Sequence, residues 1–63
     1  MNYQDRVKHE QIDLFSKIKS LNDFIHSGSK FEALDSDEKD RLIDQCAAMN
    51  EYNDILMDRI DNF

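Results

Sequence analysis

Sixty-three residues with a net charge of −6 and one cysteine make one thin domain without a disulfide. A chain this short buries only about 60% of the surface its unfolded form exposes, and such chains usually need a metal, a disulfide or a partner chain to hold them. Residues 1–34 balance five acids with five bases, while residues 35–63 hold nine acids and three bases. Such a surface repels a phosphate backbone, which argues against general nucleic-acid binding.

With one Gly and no Pro, little breaks a helix. The spacing predicts a first helix over about residues 3–26. Val7, Gln11, Leu14, Ile18, Leu21 and Ile25 step by four and three. Ile12, Phe15 and Phe24 widen the stripe beyond what one neighbouring helix covers. His26-Ser27-Gly28-Ser29 ends that helix, with Gly28 free to adopt a left-handed conformation. Ser29-Lys30-Phe31-Glu32 has the form of a capping box and predicts a short turn over Lys30 to Leu34. There Phe31 and Leu34 plug the open end.

Asp35 or Ser36 starts the second long helix, expected over about residues 36–61. Leu42, Gln45, Met49, Tyr52, Leu56, Arg59 and Phe63 alternate spacings of three and four. This predicts a heptad seam with one apolar column and one column of Gln45, Tyr52 and Arg59. The connection is short, so the two helices are expected as antiparallel neighbours. The expected fold is an all-α antiparallel two-helix hairpin. Its core is completed by self-association into a homo-oligomeric helical bundle.

No catalytic constellation stands out. Cys46 has no nearby His, and there is no phosphate-binding Gly loop or Ser/His/Asp arrangement, so an enzyme is not expected. His9, Glu10 and Asp13 place two ligand types on one helix face but lack the second His of a zinc motif, so they read as a solvated face. The rows Asp54, Asp58, Asp61 and Asp37, Asp40, Asp44 read the same way. No metal and no cofactor are expected. The opening MNYQDRVKHE is charged with no apolar run behind it, so neither a signal peptide nor a membrane span is expected.

Gln45, Tyr52 and Arg59 admit two readings. In the structural one, Arg59 pairs with Glu10 across the hairpin, Tyr52 sends its hydroxyl to the rim, and Gln45 fixes the register. In the functional one, they line a groove between protomers with Lys17 close to Tyr52. The cations would meet phosphate, the ring would stack on a base, and the amide would bond its edge.

The chain resembles short accessory proteins of tailed phages, including the crAssphage-related group. The resemblance rests on Arg6-Val7, Glu10, Leu14, Lys17-Ile18, Leu21 and Phe24 in the first helix. In the second it rests on Leu42, Gln45, Met49, Tyr52, Leu56 and Arg59-Ile60. The segment Gln45-Cys46-Ala47-Ala48-Met49 is more loosely similar to a Gln-x-x-x-Met stretch of phage cyclic-dinucleotide sponges, though it is more acidic. The resemblance implies a non-enzymatic protein of the host cytoplasm that counters bacterial immunity such as CBASS or Thoeris. It would bind a cyclic nucleotide or an ADP-ribose-type signal between protomers, through Lys17, Gln45, Tyr52 and Arg59. The alternative is an acidic inhibitor or adaptor that docks on a host protein through its second helix.

Overall fold

The computed structural model describes residues 2–63. It is all-helical: α1 spans Tyr3–Ile25, α2 spans Ser29–Glu32 and α3 spans Ser36–Asp61. Asn2 caps α1, its side chain accepting from the Asp5 amide at 2.9 Å. Asp35 caps α3 in the same way, accepting from the Glu38 amide at 2.7 Å. Each cap satisfies one amide that the first turn cannot.

Between the long helices the chain turns on Gly28, whose φ is 85°. Its ψ of −102° takes it outside the left-handed helical region, so it does not close α1 as expected. It precedes α2 instead. Ser29 lies inside α2 and the expected capping box does not form. A Cβ on Gly28 would meet nothing within 4 Å, so the penalty of Gly28→Ala is purely conformational. That substitution is expected to cost about 1–2 kcal/mol, read as a lower urea midpoint with an unchanged slope.

The turn packs Phe31 under the helix pair. Its ring meets Phe24 edge-on at 6.3 Å between centroids, and Lys39 lies over it at 5.8 Å. Lys39 also reaches Glu32 at 3.3 Å, so one side chain ties α3 to α2. At the other end Tyr3 meets Phe63 edge-on at 5.7 Å. With Tyr3 level with Phe63, and Gln11 bonded to Asn53, α1 and α3 run antiparallel along a body 43 Å long.

The core is thin. Val7, Leu14, Ile18 and Leu56 form its buried cluster, with Met49 and Ile60 packed against it. On α1 the inward positions are Gln4, Val7, Gln11, Leu14, Ile18, Leu21 and Ile25, all buried or half-buried. On α3 they are Leu42, Cys46, Met49, Asn53, Leu56 and Ile60. This corrects half of the expected α3 seam. The Leu42, Met49 and Leu56 column faces inward, but its companion is Cys46, Asn53 and Ile60. Gln45, Tyr52 and Arg59 are exposed.

The physical reason is a choice between two flanking columns. Positions three and four residues after each Leu or Met are both available to a seam. The column holding Ile60 and Cys46 buries more apolar surface than one holding Arg59 and Gln45. Asn53 is acceptable inside because Gln11 meets it at 3.0 Å.

Candidate functional site

Gln45, Tyr52 and Arg59 lie just outside the seam on α3, each three residues beyond an inward Leu or Met. Lys17 stands in the same relation to Leu14 on α1. Turning a helix end for end preserves the hand of its residue order. Columns of the same sense on antiparallel helices therefore emerge on the same side of the pair. All four candidate residues thus share one long face, and all four are exposed. The register set by Tyr3–Phe63 and Gln11–Asn53 puts Lys17 at a height between Gln45 and Tyr52.

Glu10 falls at a height between Tyr52 and Arg59 on that face. It does not pair with Arg59. Among the described residues the ion pairs are Lys39–Glu32 at 3.3 Å and Arg41–Glu38 at 2.9 Å. Lys17 and Arg59 therefore have no carboxylate partner in the described chain. The amide of Gln45 has only a long contact, 3.9 Å to the Met49 sulfur. Tyr52 is 42% exposed, with part of its ring standing in solvent.

A wider stripe was missed by the sequence reading. Arg41, Gln45, Ala48, Tyr52, Ile55, Arg59 and Asn62 repeat the three-and-four spacing one column further out. All seven are exposed. From Arg41 to Asn62 this stripe contains no carboxylate, although α3 is otherwise acidic. Glu38, one step before Arg41, is paired with it. Asp37, Asp44, Glu51 and Asp58 form the neighbouring column, and Asp40, Asp54 and Asp61 the one beyond. The sequence carries this signal as a second heptad pattern, but only the burial of Cys46, Asn53 and Ile60 separates it from the first.

The Arg41 guanidinium is held above its ordinary value, chiefly by its hydrogen bond to Glu38. Arginine stays charged throughout the useful pH range regardless, so the stripe keeps an Arg near each end. No cavity is present among the described residues. No group of three metal-ligating side chains converges among them either. Cys46 is half-buried in the seam, with Asn50 donating to its carbonyl at 2.9 Å. No helix of the described chain is long and apolar enough to cross a membrane.

The chain is 38% identical over 61 residues to an uncharacterized 7.5 kDa protein from the denB-rIIB intergenic region of Enterobacteria phage T4. The match covers 97% of this chain and 94% of that one. No solved structure matches it. Residues 1–62 match the Sequestin family, and the chain therefore belongs to that family of small phage proteins.

Proposed function

We propose that this protein is a non-catalytic phage counter-defence factor of the host cytoplasm. It binds a nucleotide immune second messenger between protomers and holds it away from its receptor. The observation that carries this reading is the carboxylate-free stripe of α3. There an exposed Tyr52 ring stands between Gln45 and an Arg59 that has no ion-pair partner. Lys17 joins them from α1. Two cations meet phosphates, the ring stacks on a base or adenine-like system, and the Gln45 amide reads its edge. The family's name, which speaks of sequestration, and the phage relative support the same direction. A single copy offers an open face without a cavity, so a second copy supplies the opposite wall. No turnover is needed. Sequestration works by mass action, which requires affinity below the working concentration of the signal.

Native mass spectrometry of the protein from bacteria, with cyclic nucleotides and ADP-ribose derivatives added, tests the reading. The expected result is a homo-oligomer carrying stoichiometric nucleotide. Tyr52→Ala with Arg59→Ala is expected to weaken that binding on the order of 100-fold, because a stacking contact and a charge-assisted contact are both lost. Unchanged affinity in the folded double variant would remove this face from consideration.

The second reading is an acidic inhibitor or adaptor for a host protein. It is favoured by seven of the eight carboxylates of α3, gathered on its outer columns. Neutralising Asp40, Asp44, Asp54 and Asp58 separates the two. That change would disable such an adaptor and leave nucleotide binding intact.

A further inference from the structure

The face opposite the Lys17–Arg59 side also carries apolar residues that the chain leaves uncovered. Phe15 and Met57 each follow an inward Leu by one residue, as Ile43 follows Leu42, so the three emerge on that side together. Ile12 lies next to Phe15, one column further out. Exposure is 61% for Ile12, 55% for Phe15, 49% for Ile43 and 41% for Met57. On the same side α1 presents Lys8 and Lys19, and α3 presents Asp40, Asp54 and Asp61. None of these five charges has an ion-pair partner among the described residues.

We infer that this face binds the same face of a second copy of the chain. The two copies would be related by a two-fold axis parallel to the helices, so that each α1 packs on the partner's α3. Charge selects this arrangement. A two-fold axis perpendicular to the helices would stack α3 on α3 and bring two acidic surfaces together. The parallel axis sets basic α1 on acidic α3 twice over, as a closed isologous pair. Heights across the pair then follow the register within one chain. Lys8 falls between Asp54 and Asp61 of the second copy, and Phe15 and Ile12 fall on the stretch between Ala47 and Met57. Asp5 is the one carboxylate α1 adds to the face; it stands level with Asp61 of the second copy at the end of the pair, and the complementary contacts lie inward of it, at Lys8 with Asp54 and at Lys19 between Asp40 and Asp54.

The body extends 43 Å by about 15 Å. A whole long face of that outline covers at most roughly 650 Å² per copy and about 1,300 Å² for the pair, at the low end of stable interfaces. Both Lys17–Arg59 faces remain on the outside of the pair, where each is free to meet a further copy across a nucleotide. Nucleotide binding and this pairing therefore use different surfaces, and pairing here needs no ligand.

Sedimentation equilibrium on the ligand-free chain tests the inference with two charge variants. One is Lys8→Glu with Lys19→Glu, and the other is Asp40→Lys with Asp54→Lys. Each alone sets like charges across the pair and is expected to weaken it by roughly tenfold or more. An equimolar mixture restores complementary charges and is expected to form a mixed pair near parental strength. Phe15→Glu is expected to give a monomer. If that variant loses its helical signal, the charge variants decide alone. The inference is overturned if the parent is monomeric, if either charge variant pairs as strongly as the parent, or if the mixture stays monomeric. It is also overturned if Ile55→Glu, on the opposite face, dissociates the ligand-free pair.

Discussion

Leu56→Ala is expected to remove about half of the protein's stability or more. Leu56 is only 1% exposed and is the one large side chain fully enclosed among the described residues. It closes the buried cluster that Val7, Leu14 and Ile18 contribute from α1. Truncating an enclosed Leu costs about 2–5 kcal/mol, part from lost transfer and part from the cavity left behind. A chain of this length has roughly 3–9 kcal/mol of total stability at the usual per-residue values. No other contact in so thin a core absorbs the loss. Urea unfolding followed by circular dichroism measures it. A shift within about 0.5 kcal/mol of the parent, the range of an ordinary surface change, would mean that Leu56 is not the centre of the core.

Replacing both Gln11 and Asn53 with Leu is expected to raise stability while loosening specificity. The Gln11 amide donates to the Asn53 side-chain carbonyl at 3.0 Å, across a sequence separation of 42 residues. Both residues occupy seam positions where Leu would bury more apolar surface. Changing Gln11 alone to Ala deprives Asn53 of its partner and should cost about 1–2 kcal/mol. Changing both to Leu removes the need for the bond and should gain roughly 1–3 kcal/mol. A polar pair in one layer of a helical seam fixes register, because only one alignment satisfies it. The double variant should therefore melt later and populate more than one assembly by native mass spectrometry. A double variant less stable than the single Ala change would show that the pair supports the fold through something other than its hydrogen bond.

The helices themselves were legible in the chain. Few breakers, the stripe from Val7 to Ile25, and Asp35 placed three residues before Glu38 are local signals, and local backbone bonding answers them directly. The capping box at Ser29 was a plausible local pattern that lost to the chain reversal at Gly28. That reversal has to bring Phe31 under Phe24, and it set the start of α2 by tertiary demand. The pattern put Gln45, Tyr52 and Arg59 inside the seam, whereas they stand beside it, exposed.

The sequence alone determined the all-helical class, the stretches that become α1 and α3, and the apolar column Leu42, Met49 and Leu56. These follow from periodicity and capping, which act over a few residues. Only the tertiary structure decided which column accompanies it inward. Tyr52 can be buried or exposed with small differences in local energy. The choice fell to Asn53 because a hydrogen-bonding partner waited on α1, at Gln11. That one long-range bond, with Ile60 beside the core, rotates α3 about its own axis by about half the width of a helix face. It turns Gln45, Tyr52 and Arg59 out to solvent alongside Lys17, and it leaves Phe15, Ile43 and Met57 exposed on the opposite side.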